Sequence, residues 1–169
     1  MYYNLPSAFG DWDFTWQGSI TTRYDQVPGN AAQALLDAQD SGIIPANYPV
    51  RGFDDLVRRD GNQEQKMNAR LNWRKNDWGA SLSWLYLSDF IQTSLERNDG
   101  TQWVIPSHST WNATVDYRFN LWGSVTRARF GIRNLTDERA PLADRYFGYF
   151  SDAHSDLGRA YYLDIRMAW

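Results

Sequence analysis

The sequence predicts an all-β chain of 169 residues, a segment of an antiparallel transmembrane β-barrel with about six strands. Three observations predict it. Six stretches alternate apolar and polar residues, and none of their apolar positions carries a charge. The connections between the stretches are alternately short and long. Aromatic residues gather at the strand ends beside the short connections. Side chains on a strand point alternately to opposite sides, so each stretch has one face fit for an oily medium and one fit for water.

The stretches follow in order. Residues 12–24 place Trp12, Phe14, Trp16, Gly18, Ile20, Thr22 and Tyr24 on one side, and Asp13, Thr15, Gln17, Ser19, Thr21 and Arg23 on the other. Residues 66–74 set Met67, Ala69, Leu71 and Trp73 against Lys66, Asn68, Arg70, Asn72 and Arg74. Residues 78–90 set Trp78, Ala80, Leu82, Trp84 and Tyr86 against a small and polar side, where Leu85 and Leu87 blur the pattern. Residues 109–119 set Trp111, Ala113, Val115, Tyr117 and Phe119 against Thr110, Asn112, Thr114, Asp116 and Arg118. Residues 125–134 set Thr126, Ala128, Phe130 and Ile132 against Arg127, Arg129, Gly131 and Arg133. The last stretch, 160–169, sets Tyr161, Leu163, Ile165, Met167 and Trp169 against Tyr162, Asp164, Arg166 and Ala168. It has the length of a tilted strand that crosses a bilayer, about 9–11 residues. An Arg or Lys on the lipid side near the midplane costs roughly 2–4 kcal/mol, which accounts for six charge-free faces.

Lys75-Asn76-Asp77 and Asn120-Leu121-Trp122-Gly123 are short links, whereas 25–65, 91–108 and 135–159 are long. Bacterial barrels have this asymmetry, with short periplasmic turns and long extracellular loops. Trp12, Trp73, Trp78, Phe119, Trp122 and Trp169 then lie on the short-turn side and form an expected interfacial girdle. In the first long loop, Asn30 and Gln33 are placed for a capping pair and Gly42 for a stop. A short helix with Ala31, Ala34, Leu35 and Ala38 on one side is expected there. Residues 45–64 read as irregular loop.

Composition agrees. The chain is 43% hydrophobic and 16% aromatic, yet its mean hydropathy is -0.62. No apolar run is long enough for a transmembrane helix, a test that does not apply to strands with one wet face. The net charge is -3, so there is no basic excess for nucleic acid. Without cysteine, disulfides and thiolate metal sites are excluded. The N-terminus lacks a basic segment followed by an apolar core. The membrane reading therefore expects the protein to start upstream. Six strands would leave two sheet edges in lipid, where backbone groups find no water. The expectation is a single unit, 1–169, that forms the C-terminal portion of a larger barrel, plus a possible strand fragment at Tyr2-Tyr3-Asn4-Leu5.

Two motifs carry a resemblance. Gly131-Ile132-Arg133-Asn134-Leu135-Thr136-Asp137-Glu138-Arg139-Ala140-Pro141 resembles the V-x-N-L-F-D-x-x-x-P stretch that closes the next-to-last strand of TonB-dependent outer-membrane receptors. His154-Ser155-Asp156-Leu157-Gly158-Arg159-Ala160-Tyr161-Tyr162 resembles that family's Y-D-x-x-G-R-x-Y/F lead into the last strand. Trp169 stands where the family ends in an aromatic residue, and Thr136 replaces the usual aromatic. The resemblance implies a barrel of the Gram-negative outer membrane, closed by a plug domain that this sequence does not contain. It implies import of a scarce ligand, most often a ferric siderophore, with energy from the TonB complex delivered through the missing N-terminal part. It also implies that the barrel-assembly machinery reads Tyr161, Leu163, Ile165, Met167 and Trp169. Asn134, Leu135, Asp137, Gly158 and Arg159 are the positions that match the family motifs.

Arg127, Arg129, Arg133, Asp164 and Arg166 share the wet face, either as a basic strip for an anionic ligand or as wall salt bridges. Asp144, Asp152 and Asp156 are oxygen ligands in no known metal spacing. His108 and His154 are far apart in sequence. No cofactor, metal site or enzymatic activity is expected. Two other functions compete with transport: a small autonomous barrel serving as adhesin or tether, and a soluble sugar-binding β-protein whose Trp and Tyr side chains form one stacking groove.

Overall fold

The computed structural model describes residues 1–51 and 53–168. Trp169, expected in the terminal apolar face and in the girdle, lies outside the described residues. The chain is antiparallel β with one short helix: β1 (Tyr2–Ser7), β2 (Gly10–Ile20), β3 (Asp25–Gln26), α1 (Asn30–Asp40), β4 (Asp54–Asp55), β5 (Gln65–Lys75), β6 (Trp78–Leu87), β7 (Phe90–Glu96), β8 (Gln102–Ile105), β9 (His108–Leu121), β10 (Ser124–Arg133) and β11 (Ala160–Ala168). Seven strands form one sheet in the order β1-β2-β5-β6-β9-β10-β11. The fragment at Tyr2–Leu5 is thus a full strand, joined to β2 by the two residues Ala8 and Phe9. Pro6 and Gly10 pair within the strands. Among the described residues the sheet is open, with β1 and β11 as its edges.

The pairing register unites the alternating patterns. Trp12 lies opposite Trp73, Trp73 opposite Ala80, Ala80 opposite Val115, Val115 opposite Phe130, and Phe130 opposite Leu163. The six apolar faces read from the sequence therefore lie on the same side of the sheet. A slip of one residue at any pairing would send that strand's apolar set to the other face. Lys75, at the end of β5 on this side, turns its Nζ to the carbonyl of Ala8 at 3.2 Å. The turns are tight. Asn76 takes a positive φ in the β5–β6 link, and Trp122 and Gly123 both do in the β9–β10 link, as a type I′ hairpin turn requires. The lower ends are also staggered. Trp78 opens β6 opposite Tyr117, yet β9 runs on to Leu121.

No helix or second sheet packs on either face: each sheet strand contacts only its hydrogen-bonded neighbours among the described elements. The apolar side is accordingly partly exposed even on inner strands, with Val115 39% and Phe130 44% exposed, and more so on the edge strand β11, with Leu163 67% exposed. The fully dry cluster lies elsewhere. Phe90, Ile105 and Phe150 form it, with Trp103, Ala143 and Ala153 packed around it. It belongs to a cap built from the long connections.

Three expectations about those connections are corrected. Residues 91–108 are not an open loop, since they hold the β7–β8 hairpin. Within 45–64, β4 pairs with β3. Helix α1 forms and is stopped at Gly42, which has a φ of 73°. Its N-cap, however, is Gly29 with no side-chain bond, and the Gln33 amide side chain donates to Asp37 instead. The helix starts one residue too early for Asn30 and Gln33 to occupy the two positions of a capping box. Its covered side is Ala32 and Leu36, while Ala31, Ala34 and Leu35 are exposed.

Candidate functional site

Opposite the bare apolar side lies the polar face of the sheet, and it carries the chemistry. Asp116 on β9 is only 5% exposed. Arg127 on the neighbouring β10 donates to it twice, Nε to Oδ2 at 2.9 Å and Nη2 to Oδ1 at 2.6 Å. The fork geometry matches a carboxylate. Gly79 makes room for this pair: a Cβ there would sit 2.9 Å from either Asp116 carboxylate oxygen. Asp116 occupies one lateral row of the sheet that runs Asp11, Arg74, Gly79, Asp116, Arg129, Asp164. Its charges alternate in sign, an arrangement that favours cross-strand pairing. The next row toward the short turns sets Arg118, Arg127 and Arg166 directly opposite one another. Like charges so placed repel. Arg127 is drawn aside to Asp116, and the Arg166 Nε donates to Asp164 at 3.0 Å.

A hollow of about 510 Å³ opens on this face. Asp116 and Arg127 lie in it, together with Arg70, Arg74, Arg129 and Arg133. Arg133 stacks over the ring of Tyr162, 5.4 Å from its centroid. Tyr162 itself lies across Gly131, where a Cβ would meet the ring at 2.2 Å. An aromatic ring laid over a glycine on the adjacent strand covers backbone that no side chain would otherwise shield. The five wet-face candidates of the sequence are thus residues of the neighbouring strands β10 and β11. They form two ion pairs and one ring stack, and Arg129 has no salt bridge among the described residues.

The family-motif residues form a second cluster at the loop end of β10 and β11. Asn134 has a φ of 52° and ends β10. Its Nδ2 donates to the carbonyls of Glu138 and Leu157, and its Oδ1 accepts from the Glu138 N–H. The Asn134 N–H donates to Oδ1 of Asn112. The Arg159 N–H donates to the Asp137 carboxylate at 2.7 Å, and a Cβ on Gly158 would come within 2.8 Å of that same oxygen. Leu135 is exposed, though its N–H donates to the Trp111 carbonyl. Asn134, Asp137 and Gly158 together bring both ends of the 25-residue loop to one point, by local side-chain-to-backbone bonds.

The cap joins all three long connections. Arg59 bridges to Ile91, the Asp60 carboxylate accepts from Thr93, and Gln92 exchanges hydrogen bonds with the backbone of Asp144. Arg139 holds Asp156 with two bonds, which lowers the Asp156 carboxyl below its ordinary range. Asp156 is therefore occupied by an arginine, and among the described residues no three His, Asp or Glu side chains are grouped for a metal. The histidines that the sequence separates are neighbours. His108 opens β9 on the polar side, and His154 meets it edge-on with ring centroids 5.1 Å apart. Phe90 stacks on His154 from the cap core. Burial, and secondarily His108, push the His154 pKa down from 6.5 to about 4. Leu87, one of the two residues that blurred the alternation, is buried opposite His108. The cap thus leans over the loop end of the polar face.

A second aromatic band was not visible in the sequence. Trp16 and Trp84 both lie opposite Ala69, and Trp84 lies opposite Trp111, toward the long-loop end of the apolar side. The band at the other end holds Trp12 near Trp73 and Trp78 near Tyr117, with centroids 6.2 and 4.6 Å apart. Only the register brings Trp16, Trp84 and Trp111 into line.

No family model, curated protein or solved structure matches this chain.

Proposed function

We propose that this chain is part of the wall of a β-barrel in the outer membrane of a Gram-negative bacterium. We further propose that the parent protein is a TonB-dependent receptor that imports a scarce ligand. The observation that carries the membrane reading is the inverted burial of the sheet: on the inner strand β9, Val115 is 39% exposed while its neighbour Asp116 is 5% exposed. A sheet in water hides its oily side and solvates its charges. One in lipid with a polar interior does the reverse. The aromatic bands support the same reading. Trp111 and Phe119 stand at the two ends of β9's apolar side, a path of about 27 Å along a strand. Tilted by about 40°, that spans roughly 20 Å, close to the apolar band of a membrane barrel. Aromatics divided between two bands do not make one stacking groove, so nothing here favours sugar binding.

The family reading rests on the two motifs at Gly131–Pro141 and His154–Tyr162, which meet in one cluster. In that reading the partners are outer-membrane lipid on the apolar side, the barrel-assembly machinery at β11, and the TonB complex through a separate plug. The ligand is a ferric siderophore by the family's commonest use. An autonomous small barrel fits less well. Successive strands of the sheet alternate in direction, so β1 and β11, the first and last of seven, run the same way. An all-antiparallel closure needs an odd number of further strands between them.

The test is dispersal of the full chain with and without detergent. The expected result is a folded, β-rich species in non-ionic detergent micelles and aggregation in plain buffer. A folded monomer in plain buffer would overturn the proposal.

A further inference from the structure

The polar face carries more positive charge than its own acids neutralise. Lys66, Arg70, Arg74, Arg118, Arg127, Arg129, Arg133 and Arg166 lie on it with only Asp11, Asp13, Asp116 and Asp164. The whole chain is nevertheless acidic, with 17 basic and 20 acidic residues. The rest of the molecule therefore holds nine basic and sixteen acidic side chains. The cations are concentrated on one wall, and the acids lie mostly outside it.

Three of the four acids are already engaged. Asp116 is held by Arg127 and Asp164 by Arg166. One oxygen of Asp13 accepts from both the Tyr2 hydroxyl and the Asn4 amide, at 2.8 and 2.7 Å. The fourth, Asp11, lies opposite Arg74. That leaves Arg70, Arg74, Arg129 and Arg133 around the hollow with no salt bridge among the described residues, Arg74 merely facing Asp11 across the strands. The Nε of Arg129 is buried and donates to no partner. A buried guanidinium N–H without an acceptor is costly, unless the hollow is normally filled. Neutral donors line the same hollow: Asn72, Ser81, Ser83, Asn112 and Thr114. Its volume lies in the range of small-molecule sites, about 300–1,000 Å³.

We propose that this hollow binds a small multivalent oxyanion, a compound bearing several carboxylate or phosphate groups, with Arg70, Arg129 and Arg133 as its cationic contacts. Charge complementarity selects the anion, and guanidinium forks suit planar or tetrahedral oxyanions. The Asp116–Arg127 pair forms part of the hollow's wall. The inference uses the polar face alone and stands whether or not the apolar face meets lipid.

The test is calorimetric titration of the full chain, folded in non-ionic detergent micelles or, if it folds there, in plain buffer, at low ionic strength with tricarballylate and with pyrophosphate. The folded state is verified by circular dichroism in each sample. Saturable binding of one equivalent is expected, and the tighter probe assigns the anionic group. Arg129→Gln and Arg70→Gln should each weaken binding about tenfold, the scale of a lost charged hydrogen bond. Arg118→Gln, on the same face but outside the hollow, and Arg145→Gln, in the cap, should change it less than about twofold. If Arg129→Gln fails to fold, Arg133→Gln takes its place. No saturable binding by the folded wild-type chain would overturn the proposal. So would equal losses in all four variants, which would indicate diffuse counter-ion attraction.

Discussion

The seven-stranded sheet and the cap at its loop end distribute oil and charge in opposite ways. In the cap, Phe90, Ile105 and Phe150 are dry and the ion pairs Arg58–Asp89 and Arg139–Asp156 lie outside. That is the order expected of a chain folding in water. In the sheet the aliphatic and aromatic residues face outward and the best-formed ion pair, Arg127–Asp116, is covered. The cap can be stabilised by its own hydrophobic contacts. Among the described elements no second layer packs on the sheet, and in the proposed reading lipid would cover its apolar side. Within one chain, the medium each region is built for can be read from which side of its backbone is bare.

Four measurements test this contrast. Phe90→Ala should cost about 4 kcal/mol, the usual loss for a buried Phe, and the loss should fall on the cap alone. Hydrogen exchange should show residues 134–159 losing protection while β9 and β10 keep theirs. Equal loss in both regions would mean that sheet and cap fold as one unit. Ile165→Arg or Val115→Arg should block insertion into lipid vesicles, since a midplane charge costs roughly 2–4 kcal/mol. Thr114→Arg, on the other side of the same strand as Val115, should insert normally. Comparable insertion of all three would contradict the assigned facing.

The third measurement concerns pH. Closed, the cap holds His154 at a pKa of about 4, against 6.5 when open. The open cap therefore binds the proton first as pH falls below 6.5, and closure weakens progressively down to about 4. The loss reaches roughly 3 kcal/mol and is regained on return to neutral pH. Exchange protection of the cap should fall over that window in the wild-type chain and fall less in His154→Leu, where the buried His108 still remains. The smallest effect is expected at Gly131→Ala. Its methyl would collide with the Tyr162 ring and should lower sheet stability by about 2 kcal/mol, as overpacking does. Adding Tyr162→Ala should recover most of that loss in urea unfolding, since the clash disappears.

Much of the fold is local and therefore legible. The alternation from Trp111 to Phe119 sets which side chains share a face, because a strand's period of two allows no other arrangement. The turns at Asn76 and at Trp122-Gly123 stand between matched strands, and the last two strands carry their ends in Asn134, Asp137 and Gly158. The helix was found, but its cap was misplaced by one residue and its covered side with it. The polar face was partly legible. The Arg127, Arg129, Arg133 series was evident from spacing alone, whereas the Asp116–Arg127 pair depends on which residues of two strands lie diagonal to each other. The β7–β8 hairpin was missed because 91–108 lacks a sustained alternation. The His108–His154 contact was missed because 45 residues separate them.

Alone, the order of residues determined the two-faced character of each strand and the rhythm of short and long links, since both follow from backbone geometry within a few residues. Register and long-range contacts set the common side of the six apolar faces, the second aromatic band, the surplus of arginine around one hollow and the dry core of the cap. Those join distant segments, which no local pattern specifies.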